Sequence, residues 1–231
     1  MINMGDDIVT NGHSIHLALI PDGNRRYAKT NGEVPWNGHW KGAERIKDFV
    51  KWCLDYPEIK TISVFGLSTE NLSRSKKEVE ELWKVYKKQL EDILEDPVIK
   101  KNKVKVRVLG DESTWQPDIR DLAKEVINST KRYSRHILNI MLAYGSKFEL
   151  DTAVKKMLQK PIKNIDKFLM VKEPVDLVIR TGGQRRLSNF MLYQASYAEL
   201  YFTDTLWPEF SRKEFDKIID WYHTQKKNFG K

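Results

Sequence analysis

The sequence predicts an α/β fold: a single domain with a mainly parallel central β-sheet of about six strands flanked by helices. Three observations carry this. Apolar runs of strand length recur at 17–20, 61–67, 104–109, 137–143, 176–179 and 200–202. Between them lie longer stretches whose apolar residues repeat at helical spacing. The chain has 231 residues, enough for one sizeable core, with no internal repeat, low-complexity tract or linker composition. Residues 1–14 are polar and are expected to be a flexible N-terminal segment, leaving 15–231 as the domain.

In order, Leu17 to Ile20 is a buried strand stopped by Pro21. Asp22-Gly23-Asn24 is turn chemistry, and Arg25-Arg26 opens a segment suited to the first turn of a helix. Ala43, Ile46, Phe49, Val50, Cys53 and Leu54 define an amphipathic helix from about 42 to 54, ended by Tyr56-Pro57. Thr61 to Leu67 is a second buried strand, closed by the polar cluster Ser68-Thr69-Glu70-Asn71. Lys76 to Leu94 is a long helix, with Val79, Leu82, Trp83, Tyr86, Leu90, Ile93 and Leu94 on one side. Val104 to Leu109 alternates apolar and basic residues, as a half-exposed strand does. Pro117 to Tyr133 is a helix, Ile137 to Ala143 a strand, and Phe148 to Leu158 a helix. Asp176 to Ile179 is a strand and Arg180 to Arg186 a basic loop. Ser188 is an N-cap candidate for a short helix, and Leu200 to Phe202 a last strand. Ser211 with Glu214 makes a capping box before the final helix.

Composition narrows the function. A formal net charge of +8 suits nucleic acid, a membrane surface or anionic small substrates. There is no long Lys/Arg block and no nucleic-acid motif, and many arginines fall inside the stretches 16–42, 68–74 and 176–210, which points to phosphorylated substrates. The scattered lysines fit a merely basic surface. Cys53 is the one cysteine, so an intrachain disulfide and a Cys-based zinc site are excluded. It falls on the apolar face of its helix, as an inert core residue would, consistent with a reducing cytoplasm. No run approaches the ~18 apolar residues of a membrane span, so any membrane contact is expected to be peripheral.

The stretch His16 to Gly42 carries the first chemistry. A carboxylate at a strand end, beside loop N–H groups and two guanidiniums, suits a metal-bound phosphate. The carboxylate would hold Mg²⁺, and the N–H groups and guanidiniums the phosphate oxygens. A strand, a turn and a basic surface helix would read the same way. The loop Arg180 to Ser188 has a glycine pair that lets Arg180, Arg186 and the Ser188 hydroxyl converge on one anion. A solvated basic loop is the competing reading.

These stretches resemble the cis-prenyltransferases, the undecaprenyl diphosphate synthase family. The first signature is a strand followed by Asp-Gly-Asn-x-Arg and then Gly-His-x-x-Gly, here Asp22 to Arg26 and Gly38 to Gly42. Ser68 to Arg74 and Asp176 to Phe210 also match, so the resemblance covers nearly the whole chain. It implies a Mg²⁺-dependent enzyme that joins isopentenyl diphosphate to an allylic prenyl diphosphate, sets a cis double bond and releases pyrophosphate. It also implies a hydrophobic tunnel for the growing product, walled by the long helix. Trp83, Tyr86 and Leu90 on that helix serve equally well as plain core, and spacing does not choose. Gly66 would leave room beside the tunnel mouth.

By resemblance, Asp22 binds the Mg²⁺, with Glu199 as a second metal-associated carboxylate from a partner subunit. Asp22, Asn24, His39, Ser68 and Asn71 are the catalytic positions it implies, with Ser68 and Asn71 orienting substrates or accepting a proton. Gly23, Asn24, Arg25, Arg26, Tyr27, His39, Ser68 and Arg74 become substrate-binding, with Arg74 on the allylic diphosphate. Arg180, Arg186 and Ser188 hold the isopentenyl diphosphate. A homodimer is implied too, and the apolar, aromatic segment Ser196 to Pro208 suits either an interface or the end of the core.

The sequence departs from the family at three places. Glu33-Val34-Pro35-Trp36 stands where an arginine commonly precedes Gly-His-x-x-Gly. Leu72 stands where an aromatic commonly follows the asparagine, and Asn228-Phe229-Gly230 replaces a C-terminal Arg-x-Gly. Two cations are thus missing from diphosphate positions, each contact being worth roughly 1.5–3 kcal/mol. One consequence would be an irregular coupling with dimethylallyl diphosphate as acceptor. The alternative is that Arg25, Lys29, Lys226 or Lys227 supplies the charge and elongation is regular. Some family members are heteromers with a non-catalytic chain of the Nogo-B receptor type, which lacks the catalytic Asp. Asp22, Asn24, Arg26, His39 and Arg74 all being present argues against that role.

Overall fold

The computed structural model describes residues 14–160, 162 and 164–225. Among them six strands form one sheet: β1 (Ile15–Ile20), β2 (Ile59–Ser68), β3 (Val104–Leu109), β4 (His136–Tyr144), β5 (Leu177–Arg180) and β6 (Glu199–Phe202). Their order is β3-β4-β2-β1-β5-β6, and every pairing is parallel. The mainly parallel sheet predicted is therefore wholly parallel. β1 is central and all six of its residues are buried, as an apolar run with both faces covered must be. β3 is an edge strand, and its residues alternate between buried and half-buried.

The helices are α1 (Asn24–Thr30), α2 (Pro35–Leu54), α3 (Lys76–Glu95), α4 (Pro97–Lys101), α5 (Pro117–Thr130), α6 (Ser146–Leu158) and α7 (Arg212–His223). α2 begins about two turns earlier than its apolar spacing suggests, so Gly-His-x-x-Gly lies within a helix rather than before it. Pro35 sits in the first turn, where its missing N–H is harmless. Gly38 and Gly42 lie one turn apart and meet α1. A Cβ at Gly38 would stand 1.9 Å from the Asn24 carbonyl oxygen, and one at Gly42 2.3 Å from Asn24 Oδ1. The glycines permit close helix packing, which outweighs their poor helix propensity.

One predicted element is absent. The segment after Ser188 forms consecutive turns, not a helix. Ser188, Asn189 and Met191 all have positive φ, at 49°, 64° and 46°, which no helix tolerates. Ser188 does not cap; its hydroxyl oxygen instead accepts from Arg180 at 2.8 Å. At α7, Ser211 accepts from the Glu214 N–H, but the Glu214 carboxylate takes the Thr203 hydroxyl at 2.6 Å, so only half of the capping box forms. Cys53 is fully buried, and burial pushes its thiol well up. The loose segment foreseen at 1–14 and the Asn228 departure lie outside the described residues, apart from Ser14.

The sheet reverses direction of growth at β1. Its neighbours are β2, the next strand in the chain, and β5, which arrives late. Loops leaving the carboxyl ends of β2, β1 and β5 therefore stand side by side, where open α/β sheets bind ligands.

Candidate active site

Asp22 is the first polar residue beyond β1, and its backbone is held tightly. The Asp22 carbonyl accepts from the Trp207 N–H at 3.0 Å and from the Thr181 hydroxyl at 2.8 Å. Gly182, at φ +79°, lets the neighbouring loop approach, because a Cβ there would stand 2.8 Å from that same carbonyl. Gly23, at φ +113°, packs against Leu206. The Asp22 carboxylate then accepts from Arg180 at 2.8 Å and from Arg26 at 3.3 Å.

Arg180 ends β5 and is buried. One of its nitrogens donates to Asp22; the other donates to the Arg186 carbonyl and to Ser188 Oγ. The cation in this loop that needs an internal anion thus has one, in Asp22. Arg186 is exposed, and its guanidinium donates to Gln184 Oε1 at 2.7 Å. Asn189 links this loop to the next: its Nδ2 donates to Glu70 at 2.9 Å, and its Oδ1 accepts from the Lys147 N–H at 3.0 Å.

At the end of β2, Ser68 and Asn71 cap each other. The Asn71 N–H donates to Ser68 Oγ at 3.1 Å, and the Ser68 N–H donates to Asn71 Oδ1 at 3.3 Å. Arg74 follows and donates to Glu78 Oε1 at 3.0 Å. The same oxygen stands 3.5 Å from Arg25 and 3.6 Å from His39 Nε2. Burial pushes the His39 imidazole down to about 4, and the Arg74 charge pushes the same way. His39 is therefore neutral in ordinary buffers, and its Nε2 has no hydrogen-bond partner.

These groups share the wall of one cavity of about 840 Å³. Its mouth is lined by Asp22, Gly23, Asn24, Arg25, Arg26, His39, Ser68, Asn71, Arg74, Arg180, Arg186 and Ser188. Below them the wall is apolar, with Ile46 and Val50 of α2, Val64 of β2, Leu82, Val85, Tyr86 and Ile93 of α3, and Leu138 and Ile140 of β4. The far end is charged: Lys47, Lys51, Asp92 and Asp96. Lys47 and Asp92 pair at 2.5 Å across α2 and α3. From Glu78 to Asp92 the axis of α3 runs roughly 20 Å.

The two uses open for α3 are divided among its residues. Tyr86 lines the cavity, whereas Trp83 and Leu90 are buried in the core beside it. Gly66 lines the cavity and leaves room there, as foreseen. A Cβ there would stand 3.0 Å from the Met141 carbonyl oxygen and 3.2 Å from the Tyr86 ring, whose hydroxyl donates to the Gly66 carbonyl at 2.5 Å.

Two residues named from the sequence are not brought to this wall. Tyr27 is half-buried on α1 and does not line the cavity. Glu199 opens β6 and pairs in register with Leu177, three residues before the Arg180–Phe202 pair. At about 3.3 Å per residue it lies some 10 Å back along the sheet from the site. Among the described residues no three His, Cys, Asp or Glu side chains cluster as a metal site. Asn24 donates to the Pro21 carbonyl at 3.3 Å and packs its Oδ1 against Gly42, so it fastens α1 to α2 as well as facing the cavity.

Sequence reasoning missed Glu78, Thr181, Trp207 and the Asn189–Glu70 link. Glu78 reads as an ordinary first-turn glutamate of a charged helix. Thr181 and Trp207 act through contacts that span most of the chain. For Asn189 the only sequence signal was its place beside Ser188.

A mouth of arginines above an apolar tunnel, at the carboxyl edge of a parallel sheet, is built for a phosphorylated hydrocarbon: its anionic head stays at the mouth and its chain lies below. Such a site fits a transferase of prenyl groups. The chain matches, over residues 20–230, the family described as putative undecaprenyl diphosphate synthase, and it belongs to that cis-prenyltransferase family. A tritrans,polycis-undecaprenyl-diphosphate synthase (geranylgeranyl-diphosphate specific) of Pyrobaculum aerophilum is 40% identical over 94% of this chain and 95% of its own length. An isoprenyl transferase of Helicobacter pylori is 37% identical over 93% of this chain and 96% of its own. The structure of a probable undecaprenyl diphosphate synthase from Campylobacter jejuni superposes with a TM-score of 0.80 at 31% identity, covering 95% of this chain and 99% of that one. Lavandulyl diphosphate synthase from Lavandula x intermedia, solved with dimethylallyl diphosphate, gives a TM-score of 0.89 at 26% identity with the same coverage. No helix among the described residues is long and apolar enough to cross a membrane.

Proposed function

We propose that this cis-prenyltransferase extends a long allylic starter, of the geranylgeranyl diphosphate class, with isopentenyl diphosphate. The observation that carries the reading is one cavity that is cationic at its mouth, apolar along its middle and charged again at its far end, beside an α3 axis of roughly 20 Å. Arg25, His39 and Arg74 hold the allylic diphosphate. Arg180, Arg186 and Ser188 hold the isopentenyl diphosphate in the adjoining loop. The allylic C–O bond breaks, the isopentenyl double bond supplies the electrons of the new C–C bond, a proton leaves the isopentenyl unit, and pyrophosphate is released. Ser68 and Asn71, fixed by each other between the two pockets, orient the reacting ends.

Asp22 fits a Mg²⁺ site. It is a cavity-lining carboxylate flanked by diphosphate-binding arginines, and Mg²⁺ ordinarily takes one or two carboxylates together with substrate phosphates. When bound, the ion neutralises charge on the departing diphosphate. Glu199 would serve only if delivered across a dimer. Support for a homodimer is that Tyr197 and Leu200, next to Glu199 on the edge strand β6 and the turn before it, are exposed at 76% and 40%.

A second reading, irregular coupling to dimethylallyl diphosphate, is favoured by the lavandulyl synthase likeness and by Glu33 and Pro35, which line the cavity at the position of the missing arginine. Regular elongation is favoured by Arg25 and Lys29, which line the same wall and supply charge there, and by the higher identity to undecaprenyl synthases. Purified chain with Mg²⁺ should release pyrophosphate from geranylgeranyl plus isopentenyl diphosphate, with chain-extended products by mass spectrometry. Coupled product from geranylgeranyl and dimethylallyl diphosphates alone, with isopentenyl diphosphate unused, would reverse the order of the two readings. No product from either mixture would reject both.

A further inference from the structure

We propose that Glu78 is a positioning residue that sets the allylic diphosphate pocket from behind, a role that rests on the function proposed above. Three groups line the cavity from three different segments: Arg25 from α1, His39 from α2 and Arg74 from the loop after β2. All three converge on one oxygen, Glu78 Oε1, at 3.5, 3.6 and 3.0 Å. Glu78 does not itself line the cavity, and its side chain is only 10% exposed. Its place is fixed, because its N–H donates to the Ser75 hydroxyl that caps α3.

A buried carboxylate is tolerated only when paired. Its two ionic partners, Arg25 and Arg74, are cavity-facing donors of the proposed pocket, and the neutral His39 ring stands beside the same oxygen. Each guanidinium carries five N–H donors, and the carboxylate engages few of them, so the rest stay available to an anion at the mouth. One atom thus fixes the spacing of three groups that no single element carries. Standing behind the wall, the carboxylate does not occupy the place of the diphosphate, so it orients the pocket more than it repels the ligand.

The test is a double-mutant cycle of Glu78→Gln and Arg74→Gln in the full-length enzyme. Glu78→Gln keeps size and one acceptor but removes the charge. It should raise KM for geranylgeranyl diphosphate about tenfold, while KM for isopentenyl diphosphate moves less than about twofold. In the Arg74→Gln background the same change should add clearly less than about tenfold, because part of its effect passes through Arg74. Calorimetry with a thiolo-diphosphate analogue of the allylic substrate, which does not turn over, should show the same selective loss of affinity. A merely structural Glu78 would raise both KM values together or act additively with Arg74→Gln, and either result overturns the proposal. So does an unchanged or lowered allylic KM. If Glu78→Gln does not fold, Glu78→Asp, which keeps the charge but withdraws the oxygen, carries the same cycle. Wild-type enzyme inactive on both diphosphates would instead reject the underlying function.

Discussion

The two sides of Asp22 are held in place by different means. On the side of β2, Arg25, His39 and Arg74 are gathered by a side chain, the Glu78 carboxylate, across separate helices. On the side of β5, the loop from Arg180 to Met191 is shaped by its backbone. Gly182, Gly183, Ser188, Asn189 and Met191 all have positive φ, and Gly182 and Gly183 donate to the Thr205 and Thr203 carbonyls at 2.8 Å. Charge geometry that depends on one carboxylate is open to tuning by single substitutions. Geometry written into left-handed backbone resists such tuning, and fails abruptly when the backbone is forced.

The largest effect should come from the residue both sides share. Asp22 accepts from Arg26 and Arg180 and faces the cavity. Asp22→Ala would strip Arg180 of its buried counter-ion and so carries a penalty in stability as well. Asp22→Asn keeps the acceptor and is the cleaner variant. It should lower turnover by about 10²- to 10³-fold in a pyrophosphate-release assay with Mg²⁺, with an unchanged far-UV spectrum. Turnover within a few-fold of wild type would remove Asp22 from the chemistry.

Next in size is the backbone-held side. In Gly182→Ala a Cβ would stand 2.6 Å from the Arg26 guanidinium and 2.8 Å from the Asp22 carbonyl, at φ +79°. A loss of stability on the order of 3 kcal/mol is expected by urea unfolding. A variant as stable as wild type would show that this loop adapts, and the contrast between the two sides would fall.

The smallest effect sharpens the side-chain-held side. Burial depresses the folded pKa of His39 to about 4 from its ordinary value near 6.5. The unfolded chain therefore takes up the proton more readily. The associated stability is fully present above pH 6.5 and drains away as pH falls toward 4. His39→Gln should remove on the order of 2 kcal/mol of that acid sensitivity, read as a shallower fall in unfolding midpoint between those limits. Parallel pH curves for the two proteins would place His39 in contact with water.

Much of this was legible in the sequence because the signals are local. Apolar runs such as Leu17–Ile20 and Val104–Leu109 become strands, and Asp22, Ser68 and Arg180 reach the site simply by following them. The errors are also instructive. Gly38 and Gly42 look like loop residues until α1 is packed against them, and only tertiary contact shows why a helix keeps them. Ser188 looks like a cap, but Arg180 draws its hydroxyl into a different bond. Glu78 gives no local sign at all, because what distinguishes it is the identity of three neighbours from other segments. Glu199 is named by resemblance alone, as a carboxylate of a partner subunit, and within one chain it lies about 10 Å back along the sheet from Arg180.

The placement of β1 also bears on how the enzyme is made. The Asp22 carbonyl waits for a hydrogen bond from Thr181, 159 residues later, and for Trp207, later still. Until β5 pairs with it, the central strand has one open edge, apolar on both faces. A ribosome releasing the chain from its N-terminus thus exposes the heart of the sheet first and its covering last. Such non-local pairing slows folding and leaves a sticky intermediate in the meantime. The catalytic apparatus is completed among the final folding events, so a chain cut short before residue 207 should be an aggregation hazard and not a weaker enzyme.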